Sequence, residues 1–226
     1  MSTRARITSG IAALAGVALL LAPASALAHG LDVGADPNRP AVDYVGLGIR
    51  HMLGGWDHLL FIAGVVLLAG GLRSAAKLVS LFVAGHSLTL LVATLAGWQL
   101  NAELVDAVIA LSLVYVGVVG IRRGRTGGEM RLVGAGVFAF GLVHGLGLST
   151  RLQHLGLPDD GLVERIVLFN VGVEVGQLIA LAVIVGIGTV IGGRLGNPRE
   201  LRRNMFRALA ASGLLAAAAL ALPAAF

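Results

Sequence analysis

The chain has 226 residues, of which 57% are hydrophobic and 13% charged, and its mean hydropathy is +0.89. Those values exclude an ordinary soluble domain and leave room for one membrane-embedded helical bundle. With no cysteine, disulfides, thiolate metal sites and a cysteine nucleophile are excluded as well. The formal charge of +5 does not point to nucleic acid, because the arginines sit in short loops between apolar stretches.

The first 28 residues read as a secretory signal peptide. Arg4 and Arg6 give a basic start, residues 11–21 an apolar core, and Ala26-Leu27-Ala28 an A-x-A cleavage site. Cleavage there makes His29 the first mature residue, whose α-amine and imidazole would form a chelating pair for copper or nickel. The remainder, 29–226, is expected to be an all-α transmembrane domain. Its apolar runs lie at about 44–71, 78–98, 104–121, 132–150, 162–192 and 207–225. Each approaches the roughly 20 residues that cross a bilayer as a helix, so six spans are expected. Eleven of the 17 Lys and Arg residues fall in the loops after spans one, three and five. These loops are therefore cytoplasmic, and the mature N-terminus lies outside, as for a bacterial inner-membrane protein.

Ionisable groups inside apolar spans are costly and usually face a bundle interior, where they mark an ion or substrate path. Span one carries His51, Asp57 and His58. The two histidines are seven residues apart, two turns of a continuous helix, and so would share a face. Asp57 either ligates a metal or orients a neighbouring imidazole, and Gly54-Gly55 loosens the helix between them. His86, followed by Ser87 and Thr89, lies in span two. Asp106 stands near the start of span three, where an acid at a helix N-terminus is also common, with Ser112 beyond it. His144 lies in span four beside a G-x-x-x-G formed by Gly141 and Gly145, a pattern that permits close helix approach. Span five carries Asn170, Glu174 and Gln177 at i, i+4 and i+7, with a second G-x-x-x-G at Gly172 and Gly176. Span six holds no ionisable group after Arg207 and reads as scaffold. His154 reads as a solvated loop residue.

By this topology the polar positions of spans one to five share the outer half or middle of the bilayer, which suggests one site. Imidazole and carboxylate together suit Ni²⁺, Co²⁺ or Zn²⁺, and Met52 leaves copper open. His51, Asp57, His58, His86, His144 and Glu174 are the expected ligands. Asp106, Asn170, Gln177 and Ser87 are expected around them, with His29 at the vestibule.

Five stretches together resemble the HupE/UreJ family of membrane proteins: His51-x5-Asp57-His58; Gly85-His86-Ser87-Leu88-Thr89-Leu90; Val105-Asp106-x2-Ile109-Ala110-Leu111-Ser112; Phe140-Gly141-Leu142-Val143-His144-Gly145-Leu146-Gly147; and Phe169-Asn170-x-Gly172-Val173-Glu174-x-Gly176-Gln177. They cover about residues 45 to 180. The resemblance implies a nickel or cobalt permease, and the His-x5-Asp-His stretch is similar to that group's metal-binding signature. Met52 replaces a proline frequent in the pattern, and Asp106 a glutamate; the spread of motifs is closer to the second, less characterised branch of the family.

The first reading is therefore a divalent transition-metal permease, with the metal ion as substrate and the lipid bilayer as surroundings. No P-loop motif is present that would couple it to ATP. A zinc-dependent intramembrane hydrolase, assisted by Ser87 and Ser112, is the alternative. A metal-binding assembly factor without transport is the third. The glycine-rich spans permit a homo-oligomer.

Overall fold

The computed structural model describes residues 39–126, 129–154, 161–191 and 198–221; the expected signal peptide and His29 lie outside these. Among the described residues every regular element is a helix: α1 (Asp43–Gly54), α2 (Trp56–Ala69), α3 (Leu72–Leu95), α4 (Ala102–Thr126), α5 (Met130–His154), α6 (Leu162–Ile191) and α7 (Pro198–Ala221). Four of them, α3 to α6, are long and apolar enough to cross a membrane, and the pair α1 and α2 together makes a fifth.

The first span is not the continuous helix expected from its apolar run. It breaks at Gly55, whose backbone is extended (φ −81°, ψ 110°), and α1 and α2 meet at an angle of 70°. A Cβ at residue 55 would collide with the imidazole of His58 and crowd the carboxylate of Asp57, so only glycine fits here. At its other end α2 closes on Gly70, in the left-handed conformation (φ 65°), whose N–H reaches the carbonyl of Val66.

The expected sixth span is not among the helices long and apolar enough to cross a membrane in the described residues, and its residues 222–225 lie outside those described. Residues 207–221 belong to α7, which opens on Pro198 and carries Arg199, Glu200, Arg202, Arg203 and Arg207 in its first half. The described part of α7 is long enough, at 24 residues, but is not apolar enough to count as a spanning helix. It packs along α4 instead, with Phe206 buried against Gly120 and the guanidinium of Arg202 lying 5.6 Å over the Phe206 ring.

Three helix pairs enclose the short helix α2: α1 with α6, α3 with α5, and α4 with α7. Each pair is joined where glycine lets two backbones touch. Gly48 lies on the carbonyl of Phe169 and Gly172 on that of Val45; Gly85 lies on Phe138 and Gly141 on Phe82; Gly117 lies on Phe206 and Gly213 on Ala110. Both G-x-x-x-G patterns of the sequence are therefore packing surfaces. In α2 every residue from Leu60 to Leu68 is buried, which makes this 14-residue helix, about 21 Å long, the core of the bundle. Its first turn carries Asp57 and His58 into that core.

Candidate metal centre

The break at Gly55 sets the geometry of the site. His51 lies in the last turn of α1 and His58 in the first turn of α2. Their rings meet edge to face with centroids 4.8 Å apart. The seven-residue spacing thus brings them together as expected, although across a bend and not along one helix face. His144 arrives from α5, its ring centroid 4.5 Å from that of His58 and its Nε2 2.5 Å from the Nε2 of His58. The three imidazoles offer ring nitrogens that all lie within 4.8 Å of one another, a group able to hold a metal ion. The Nε2 atoms of His58 and His144 share one hydrogen bond here, and the two rings would have to part for both nitrogens to ligate a metal ion.

Asp57 stands at the rim of this group. Its Oδ2 is 3.9 Å from the Nε2 of His144, and its Oδ1 is 3.9 Å from the Nδ1 of His58 and accepts no hydrogen bond among the described residues. It lies in the first turn of α2, at the positive end of the helix dipole. It is placed to neutralise a cation held by the imidazoles.

Beside the histidines lies a cavity of about 10 Å³, space for about one water molecule. Met52, Asp57, His58, His144, Ser112 and Gln177 line it together with apolar side chains. The Oε1 of Gln177 is buried there with no hydrogen bond among the described residues. Phe82 forms a wall, its ring 5.3 Å from that of His144 and stacked 6.3 Å from that of His86. Sequence reasoning misses Phe82. Its position four residues before His86, one helical turn away, is the available signal.

The other expected residues are distributed as follows. His86 is fully buried next to the group, its ring 5.8 Å from that of His144, and neither of its nitrogens has a hydrogen-bond partner among the described residues. Asp106 is away from the histidines, paired with Arg151 at 2.5 Å across α4 and α5. Ser87 donates to Asn170 Oδ1 at 2.9 Å, and Asn170 donates in turn to the carbonyl of Ile166. This pair forms a seam between α3 and α6. Glu174, expected among the ligands, lies on the exposed face of α6. The close fit of Gly172 against Val45 and of Gly176 against Met52 fixes the rotation of α6. That rotation turns Val173 and Gln177 inward and Glu174 outward.

No curated protein and no solved structure matches the chain. A family model does, described as HupE / UreJ protein, and it covers residues 28–222, nearly the whole length. The broken first span with its His-x5-Asp-His residues is thus the centre of a protein that belongs to the HupE/UreJ family.

Proposed function

We propose that this chain is a divalent transition-metal permease of the bacterial inner membrane, with nickel or cobalt as the first candidates for its substrate. The observation that carries the reading is the convergence of His51, His58 and His144, with Asp57 at their edge, on a helix break inside an apolar bundle. Broken membrane helices recur at transporter substrate sites, because the break frees polar groups that a continuous helix would use internally. In this reading the three imidazoles hold the ion and Asp57 balances its charge. His86, one ring further in, takes it up as it leaves. Imidazole ligands without thiolate suit Ni²⁺, Co²⁺ and Zn²⁺, and the buried thioether of Met52 beside them leaves copper as a further substrate.

The basic ends of α3, α5 and α7 face the cytoplasm, and the signal peptide is removed. The cavity of about 10 Å³ admits an ion or a water and leaves no room for an organic substrate, which favours transport over intramembrane hydrolysis. Family membership adds support, since HupE/UreJ proteins are associated with nickel and cobalt transport.

The test is uptake by proteoliposomes of the purified protein, with Ni²⁺, Co²⁺, Zn²⁺ and Cu²⁺ presented separately. Saturable uptake of one metal that is lost in His58→Ala establishes a permease and names its substrate. No uptake of any metal, with zinc retained through purification, moves the assignment to the hydrolase.

A further inference from the structure

Far from the histidines, at the end of the bundle where α3 and α5 begin, lies a second cavity of about 550 Å³. Its size is that of a ligand site. Ser74, Lys77 and Arg131 line one part of it, and Leu78, Leu81, Gly134, Ala135 and Phe138 the rest. Two cations and no acid face it. From Ser74 to Leu81 along α3, and from Met130 to Phe138 along α5, the apolar part extends about 10–12 Å along the helices. Gly134 keeps the wall low on the α5 side, where a Cβ would come within 3.2 Å of Leu81.

Lys77 and Arg131 are both exposed, and so are Leu81 and Ala135. A cleft that is basic at its head, apolar along its body and open on the flank of a membrane-spanning bundle matches one kind of molecule in shape and in charge. We propose that it binds an anionic phospholipid of the adjoining leaflet. The phosphodiester sits between the Lys77 ammonium and the Arg131 guanidinium, with Ser74 able to donate to it. One acyl chain lies along Leu78, Leu81 and Phe138. Arg131 adds a planar fork suited to two phosphate oxygens. Basic pockets between membrane helices bind such headgroups. The proposal requires only that the bundle is embedded in a bilayer. It does not depend on metal transport.

The experiment is native mass spectrometry of the full-length protein in neutral detergent, offered equal amounts of phosphatidylglycerol and phosphatidylcholine of the same chain length. One phosphatidylglycerol per chain should be retained in preference to phosphatidylcholine. The double variant Lys77→Gln/Arg131→Gln should lower that preference about thirtyfold, and Lys77→Arg should keep it. Removing two charges at the same end of the bundle but outside the cleft, in Arg199→Gln/Arg203→Gln, should leave it unchanged. Ala135→Trp, which fills the apolar part and alters no charge, should also expel the lipid. All of these positions are exposed, and equal melting temperatures in lipid-free detergent confirm that each variant is folded. Equal retention of the two lipids overturns the proposal, as does equal loss in the Arg199/Arg203 variant. Displacement of the lipid by inorganic phosphate with Ala135→Trp behaving as the native chain would reduce the cleft to a simple anion site and overturn it too.

Discussion

Two groups of ionisable side chains are buried in this bundle, and they meet the cost of burial in different ways. Asp106 and Arg151 meet it within the protein: a carboxylate and a guanidinium from α4 and α5 join at 2.5 Å. His51, His58, His144 and Asp57 meet it less completely: the Nε2 atoms of His58 and His144 share one hydrogen bond, and the Asp57 carboxylate has imidazoles at 3.9 Å beside it. Three imidazoles crowd together with a carboxylate 3.9 Å from two of them, and one of that carboxylate's oxygens accepts no hydrogen bond among the described residues. A buried ion pair is complete without a ligand. A cluster of imidazoles beside a carboxylate offers lone pairs that a cation could take up. On the function proposed above, the first arrangement belongs to the architecture and the second to the substrate.

This distinction is broken most directly at His144. Replacing His144 with Leu removes a ligand and supplies an apolar side chain of comparable size. Metal uptake should be abolished, while the metal-free protein should lose no more than about 1–3 kcal/mol, the cost of leaving the buried His58 Nε2 without its partner. In the native protein, substrate metal at about 100 times its Kd should add about 2.7 kcal/mol of stability, and none in the variant. A thermal-melt series with and without metal measures both. A large loss of stability in metal-free His144→Leu would make the cluster structural after all.

Asp106→Asn is the reciprocal case. It leaves the Arg151 guanidinium partly buried beside a neutral amide, which should cost about 3 kcal/mol, at the low end for a broken buried pair because Arg151 keeps some exposure. Substituting both residues with Leu should recover most of that loss. The metal affinity of the folded protein should fall modestly in Asp106→Asn, because the unpaired Arg151 charge reaches His144, and stay near the native value in the double Leu variant. A drop in affinity without a drop in melting temperature would place the pair on the ion's path.

Gly55→Ala acts on geometry alone. The new methyl collides with the His58 ring and crowds Asp57, so the ligands must turn away while the helices on either side remain. Metal affinity should fall about 10–100-fold, as when the groups that orient metal ligands are lost, with a smaller change in stability. Isothermal titration of the variant gives the number.

Much of the site is legible in the amino-acid sequence alone. A histidine or an acid inside an apolar run is visible there, and His51, His58 and His144 do converge. What is not legible depends on rotations and bends. Residues 59–69 are apolar on all sides and the run before them continues without a polar loop, so the sequence does not show the 70° turn, and only Gly54-Gly55 hints at it. Glu174 shares a helix stripe with Asn170 and Gln177 by spacing, yet the docking of Gly172 and Gly176 on α1 turns it outward. Arg151 reads as a boundary charge because its partner is 45 residues away in sequence. The end of the chain reads as an apolar span, while its helix begins within the arginine-rich stretch before it.

The smallest effect is expected at the seam between α3 and α6. By sequence Ser87 and Asn170 belong to the surroundings of the metal, but the Ser87 hydroxyl donates to Asn170 Oδ1 at 2.9 Å and neither residue lines the cavity beside the histidines. Ser87→Ala removes one hydrogen bond between helices. Asn170 keeps its own donation to the Ile166 carbonyl, so its amide is not stranded. Hydrogen bonds of this kind in membrane bundles contribute about 0.6 kcal/mol on average, and the melting temperature should fall by an amount near the resolution of the measurement. Uptake rate and metal affinity should be those of the native chain. A clear loss of affinity in Ser87→Ala at unchanged stability would show that the ion passes along the α3 and α6 seam, and would extend the site from the helix break toward His86, the next residue before Ser87.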